Sequence, residues 1–349
     1  MDAPLVPVVV LGATGMVGQR VVERLAGHPW MRVVAVAASD RRVGQRYGAA
    51  CRWVLPGAPP EDVASLPLLP NDVDAIVEAV GSGSIVLSAL PKEAALEVER
   101  PLAARGLRVV SNASAHRQDP DLALVIPEVN ADHLGVIDRG GLPLVTNPNC
   151  TVTGAAMALA PLHAAVGVEA VCLSSWQAIS GAGYPGLAAW DILGNVHPHA
   201  GDEEEKVAAE LPRLLGSFDG AAIVPASIAV SARCVRVPVV DGHLVSIQFR
   251  TRENLSVADA RDLLLGWRGA APHLPSSPAR LVVLDDRRDR PQPRLDADAY
   301  GGMSVTIGRV ERCPVMGLKL FALTHNTQRG AAGAAVLNAE LLIATGRLG

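Results

Sequence analysis

The chain has 349 residues, 49% hydrophobic and 19% charged, with a formal net charge of -4. That length favours two domains over one core, and a weakly acidic balance without a basic block argues against a nucleic-acid partner. No apolar run reaches the ~18 residues of a membrane span, and the N-terminal MDAPLVPVVVLGATG lacks a basic secretory leader. Five scattered cysteines without a CxxC pair argue against disulfides or zinc and for a reducing cytoplasm.

Val6 to Leu11 form a short, mostly β-branched run, as a parallel strand covered on both faces requires. The turn GATGMVG follows, with glycines at 12, 15 and 18. A GxxGxxG turn between a strand and a helix is a variant of the dinucleotide fingerprint. Its glycines let the backbone approach a pyrophosphate, which rests on the helix N-terminus. Gly12, Thr14, Gly15, Met16, Val17 and Gly18 are therefore expected against a cofactor. The next strand, MRVVAVAAS, ends at Ser39, and Arg41 and Arg42 follow where an NAD site usually carries an acid for the ribose diol. A hydroxyl with guanidinium groups suits a 2′-phosphate, so NADP is favoured. Asp40 suits a diol instead, and solvated loop charge is the competing explanation for the arginines.

DAIVEAV (74–80), SIVLSALP (84–91) and RVVSNAS (108–114) read as further strands, with Ser88 and Ala89 at a strand end facing the cofactor. Residues 1 to about 145 thus read as a Rossmann-like, doubly wound α/β domain.

At TNPNC, residues 146–150, Cys150 closes an Asn-Pro-Asn turn and opens a helix of small residues. There the helix dipole and free N–H groups favour thiolate and can hold an oxyanion, which makes Cys150 a nucleophile. Cys51, Cys172, Cys234 and Cys313 read as small buried hydrophobes.

After residue 165, GVEAVCLSSWQAIS (167–180), GHLVSIQFRTREN (242–254) and MSVTIGRVERC (303–313) are longer alternating segments typical of an antiparallel sheet. Helices are expected around LPRLLG (211–216) and over SVADARDLLLGWRG (256–269), where Ser256 and Asp259 have capping-box spacing. Glu203 to Glu205 form a charge run of the kind that is usually a solvated face, and Lys206 is one of only three lysines. Arg236 has the planar fork that grips both oxygens of a carboxylate. His243 follows an Asp-Gly turn; alone, such a histidine is more often a core or surface residue, yet its tunable pKa suits it to move a thiol proton. His197 and His199 lack companions for a metal site, so no metal is expected. DDRRDRPQPRLDADA (285–299) reads as a surface loop, and the alanine-rich segment 325–345 as a helix returning to the first domain.

With GATGMVG, TNPNC, QAISGAGYPG and RVPVVDGH in this order, the sequence resembles the aspartate-β-semialdehyde dehydrogenases, in particular their archaeal and fungal branch. The resemblance implies a Rossmann-like NADP-binding domain over 1–149 and 328–349. It also implies an α+β catalytic and dimerisation domain over 150–327, with a mixed, largely antiparallel sheet. By the same resemblance Cys150 is the nucleophile, Gln177 orients the thioester and His243 is the acid/base. Arg236 clamps the substrate carboxylate, Glu203 binds its amine, and Lys206, Asn149 and Arg117 serve the phosphate. Ser180, Gly181 and Asn326 lie against the nicotinamide.

The implied reaction is NADP-dependent reductive dephosphorylation of L-aspartyl-4-phosphate, a step of amino-acid biosynthesis, by a cytoplasmic homodimer or homotetramer. Rivals are a related cysteine acyl-reductase acting on malonyl-CoA or N-acetylglutamyl phosphate, and a non-catalytic NADP-binding paralogue. One departure stands out: the family follows its cysteine with a Ser/Thr-Thr pair, whereas this chain has Thr151-Val152-Thr153, removing a hydroxyl expected near the nucleophile.

Overall fold

Alternation along the first strand shows how the first sheet is built. In β1 (Val6–Leu11), Val8 and Val10 enter one apolar core while Val9 and Leu11 enter another. A strand covered on both faces needs apolar side chains at every position, and the run supplies them. The computed structural model describes residues 4–81 and 83–347, the side chain of Asp40 excepted.

The other strands of this sheet are β2 (Met31–Ala38), β3 (Leu68–Pro70), β4 (Ile85–Ser88), β5 (Arg108–Ser111), β6 (Ala123–Leu124) and β7 (Leu144–Thr146). All pair in parallel, in the order β3-β2-β1-β4-β5-β7-β6. The order reverses at β1 and β4, and ligands of such sheets bind in the crevice beyond the strand ends at that point.

One expected strand is a helix. Val73–Val80 carries DAIVEAV as helix, with the Asp72 carboxylate accepting from Ala75 N at 2.9 Å as its N-cap. Val73, Ile76, Val77 and Val80 then fall on one face against the core. The β-branched composition suggested a strand; the cap and the helical spacing of the apolar residues decide otherwise.

The second sheet contains β8 (Val168–Gln177), β11 (Ala229–Arg236), β12 (His243–Thr251), β13 (Val282–Asp285), β14 (Val305–Cys313) and β15 (Gly317–Thr324), in the order β11-β8-β12-β15-β14-β13. A short hairpin, β9 (Ser217–Phe218) with β10 (Ile223–Val224), stands apart. Three of the five pairings in the larger sheet are antiparallel. Its inner face packs on the long helix Cys150–Val166, whose small side chains allow close approach; a Cβ on Gly154 would meet Thr324 Oγ1 at 2.1 Å. Burial alternates along β8, which turns Cys172 outward. The expectation of a buried Cys172 therefore fails on strand register, while Cys51, Cys234 and Cys313 are buried.

The helix Val257–Gly266 begins at the Ser256 cap, which accepts from Asp259 N at 3.1 Å. The 285–299 stretch is more ordered than a loop: it includes a helical turn, Pro293–Asp296, closed by Arg290 on Asp296. The C-terminal helix Gly333–Ala344 packs beside Val8 and Val10 in the first core. Among the described residues no helix is long and apolar enough to cross a membrane.

Candidate active site

Three neighbouring strands of the second sheet end at one edge. Gln177 is the last residue of β8 and Arg236 the last of β11, and the two are direct parallel partners. Antiparallel β12 begins there with His243. All three side chains are buried. Against this edge stands the first residue of the long helix, Cys150. The preceding Asn149 caps that helix, its Oδ1 accepting from Thr151 N at 2.9 Å and Val152 N at 3.3 Å.

Cys150 Sγ lies 3.3 Å from His243 Nε2, and Ala178 N–H donates to His243 Nδ1 at 3.0 Å. With its Nδ1 lone pair engaged by a backbone N–H, the neutral ring carries its proton on Nε2, aimed at the sulfur. Burial, then Arg236 and His325, push the His243 pKa down to about 3, which favours that neutral ring.

The thiol departs from expectation. Burial, then the Glu203 carboxylate, push Cys150 up to about 12, against the opposing pull of Arg117, Arg236 and the Thr151 N–H. The favourable helix start is present, but desolvation outweighs it, so the protein alone holds a thiol rather than the expected thiolate.

Glu203 opens the helix Glu203–Leu214 and points inward. Its carboxylate accepts twice from Asn149 Nδ2 at 2.9 Å and from Gln177 Nε2 at 3.1 Å. Glu204 instead pairs with Arg233 and caps Cys234 N, and Glu205 is exposed, so only Glu203 of the run reaches the site. Lys206 Nζ sits 2.6 Å from Asp202 and 3.6 Å from Glu203. Gln177 Nε2 also donates to Thr151 Oγ1 at 2.8 Å, while its Oε1 finds no partner among the described residues. Val152 is fully buried in the core between the long helix and the second sheet. The missing hydroxyl at this position therefore does not face the site, and Thr151 supplies the one that does.

Arg236 Nη1 donates to Ala178 O at 3.0 Å, and its backbone is bridged to His197, which gives that histidine a structural task. Arg117 is buried, donating to Asn112 O at 2.7 Å and lying 3.4 Å from Glu210. Among the described residues no group of three metal-ligating side chains occurs.

The glycine turn lies at the switch point of the first sheet. Gly12 has φ +66, and a Cβ there would meet Ala89 O at 2.6 Å; a Cβ on Gly18 would meet Gly12 O at 2.3 Å. The helix Met16–Leu25 starts at Gly15 without a side-chain cap, leaving its first N–H groups for an anion. These features fit a dinucleotide pyrophosphate. Ser39, Arg41 and Arg42 are exposed at the end of β2, with Arg42 donating to Ala50 O at 3.0 Å. The Asp40 side chain lies outside the described residues.

At the end of β4 the Ser88 hydroxyl is fully buried beside Glu99, and the backbone of Ala89 lies against Gly12 of the glycine turn. Asn326 donates to Ser180 Oγ at 2.8 Å and accepts from Gly242 N at 2.8 Å, joining the loop after β8 to the turn before His243.

Family models named semialdehyde dehydrogenase, NAD binding domain, and semialdehyde dehydrogenase, dimerisation domain, match residues 7–137 and 159–329. The chain is 46% identical to the aspartate-semialdehyde dehydrogenase of Archaeoglobus fulgidus, over 96% of this chain and 97% of that one. To the enzyme of Cryptococcus neoformans it is 40% identical, over 98% of each. The chain belongs to the aspartate-semialdehyde dehydrogenase family. Among solved structures of that family, the Candida albicans enzyme with NADP superposes with a TM-score of 0.89 at 34% identity, covering 97% of this chain and 99% of that one. A Vibrio cholerae aspartate-semialdehyde dehydrogenase II complexed with ASA gives 0.78 at 26% identity, covering 98% and 99%.

Gly330 escaped the sequence reading of this family member, and Gly181, expected against the nicotinamide, also lies close to Arg236 and His243. A Cβ on Gly330, in the π-helical turn Gln328–Ala332, would come within 2.6 Å of the Cys150 Cβ. A Cβ on Gly181 would meet Arg236 Nη1 at 2.6 Å and His243 Nε2 at 3.1 Å. Cys150 is thus walled by glycine on one side and by Arg236 and His243 on the other.

Proposed function

We propose that this chain is an NADP-dependent aspartate-semialdehyde dehydrogenase, reducing L-aspartyl-4-phosphate to L-aspartate-4-semialdehyde with release of phosphate. One observation carries the reading: Cys150, His243, Gln177, Arg236 and Glu203 converge at one sheet edge. That set matches a small molecule with an electrophilic carbon, a carboxylate and an ammonium group.

In this reading Arg236 grips the substrate carboxylate with its fork and Glu203 pairs with the amine. Arg117, Asn149 and Lys206 hold the phosphate. The Cys150 S–H bond breaks as the sulfur attacks the acyl carbon, the bond from that carbon to the phosphate oxygen breaks, and a thioester forms as phosphate leaves with the electron pair and takes up the thiol proton. The glycine turn, residues 12–18, would hold NADPH, which when bound would supply the hydride to the thioester carbon. Electron density then sits on the former carbonyl oxygen and returns to expel the sulfur as the aldehyde leaves. His243 Nε2–H donates to that oxygen and then to the departing sulfur, with Ala178 N–H holding the ring in register. Gln177 orients the thioester. Two covalent steps replace one difficult reduction.

Pairing of substrate ammonium with Glu203 also removes the carboxylate charge that helps keep Cys150 protonated, so substrate helps switch on its own nucleophile. Residues 1–149 with 328–349 form the NADP-binding domain of this proposal, and 150–327 the catalytic and dimerisation domain. The outer face of the second sheet, which carries Trp176 and Cys172, supports assembly with a second copy, and in this proposal the enzyme is a cytoplasmic homodimer or homotetramer.

NADPH formation from L-aspartate-4-semialdehyde and NADP, with and without phosphate, tests the proposal beside Cys150→Ser. Phosphate-dependent turnover lost in the variant is the expected result. Wild-type protein that binds NADP yet turns over nothing would overturn it in favour of an acyl-CoA reductase or a silent binder.

A further inference from the structure

Glu210 is a deeply buried carboxyl group close to the Cys150 turn, and the chemistry above does not use it. It lies two helical turns beyond Glu203 on Glu203–Leu214 and is 1% exposed. Its Oε2 accepts from the backbone N–H of Asn149 at 2.6 Å, and its Oε1 lies 3.4 Å from Arg117 Nη1. One carboxylate therefore touches both the residue that sets the Cys150 helix and the arginine assigned to phosphate. Arg213, three residues further on, donates to Arg117 O at 3.1 Å and to Asp119 O at 2.6 Å, fastening the same loop. Positions 203, 206, 210 and 213 recur at helical spacing, so one helix face addresses amine, phosphate and nucleophile together.

We propose that Glu210 is a positioning residue that fixes Arg117 relative to the Cys150 turn and so sets the phosphate affinity of the site. Burying a carboxylate is costly unless it is paired and hydrogen-bonded, and here both oxygens are committed to functional neighbours. Burial pushes its carboxyl pKa up, while Arg117 and the Asn149 N–H pull it down. A purely packing role would not require one oxygen on each of two site elements.

The inference rests on the phosphate role given to Arg117 and Asn149, and the test separates the two. Inorganic phosphate is titrated against iodoacetamide alkylation of Cys150 in wild type, Glu210→Gln and Glu210→Ala, with melting temperatures measured alongside. A glutamine has a single carbonyl oxygen. If that oxygen keeps the Asn149 N–H, the amide NH₂ faces Arg117, donor against donor. Glu210→Gln should therefore raise the half-protecting phosphate concentration on the order of tenfold, with the phosphate-free alkylation rate within about threefold of wild type. Glu210→Ala should disturb both.

Phosphate protection of wild type with an unchanged midpoint in Glu210→Gln would overturn the inference alone. A lower melting temperature in that variant without a midpoint shift would likewise reduce Glu210 to packing. Failure of phosphate to protect wild type would remove the phosphate site itself, and the inference with it.

Discussion

At the scale of single residues, the balance around Cys150 is testable by pH. A thiol pushed up to about 12 gains thiolate throughout the usable range. Iodoacetamide alkylation of ligand-free enzyme should therefore climb about tenfold per pH unit from roughly pH 6 to 9, without a plateau. Glu203→Gln removes the charge that opposes thiolate and should speed alkylation severalfold at fixed pH. A plateau near neutrality in wild type would instead reveal a preformed thiolate–imidazolium pair. Gly330→Ala should press on the Cys150 Cβ: overpacking of this kind costs about 1–3 kcal/mol, and turnover should fall with it, as melting curves and kinetics would show. Cys150 was legible because its turn and helix are contiguous in the chain. Gly330 was not, since the contact joins residues 180 positions apart and no local pattern marks it. Glu210 hid differently: a glutamate in a charged helix reads as solvated until its partners are known.

At the scale of elements, two caps offer a controlled comparison. Asn149 and Ser256 each accept from the first N–H groups of a helix. Alanine at either position should cost about 1 kcal/mol of stability by urea unfolding. Only Asn149→Ala should also lower turnover, because the same side chain donates to Glu203. Equal activities in the two variants would separate the cap from the chemistry. The strand–glycine–helix start and the alternating strands of the second sheet were readable because period and turn residues agree. Residues 73–80 misled because valine and isoleucine favour strands, whereas Asp72 and the spacing of the apolar side chains commit the segment to helix. Register explains Cys172 and Val152 alike: which face a residue takes depends on where its strand or helix sits, and composition does not carry that.

For the whole molecule, a buried ion pair ties the turn before the C-terminal helix to Pro127–Asn130 beside the long helix. Arg329, fully buried, donates to both oxygens of Glu128, one at 2.8 Å, and its Nε contacts Met157 Sδ. Removing one partner strands the other's charge, so Arg329→Met should destabilise by about 3–5 kcal/mol in chemical denaturation. Adding Glu128→Gln to that variant should restore a large part of the loss; no recovery would mean the arginine acts through shape rather than charge. The doubly wound order was implied by the first third of the chain, and the small side chains of 325–345 pointed to a helix returning to it, but nothing local to that segment shows that Gly330 also walls the cysteine.

That return has a consequence for biosynthesis. Gly330, Asn326 and the C-terminal helix are translated well after the residues they pack on, and they close both the sheet that opened at Val6 and the wall beside Cys150. A nascent chain can hold the nucleophile, its histidine and its arginine and still lack a finished pocket. The pocket is thus finished by residues translated some 180 positions after its cysteine, and a chain lacking them would keep every reactive group yet have no site in which to use them.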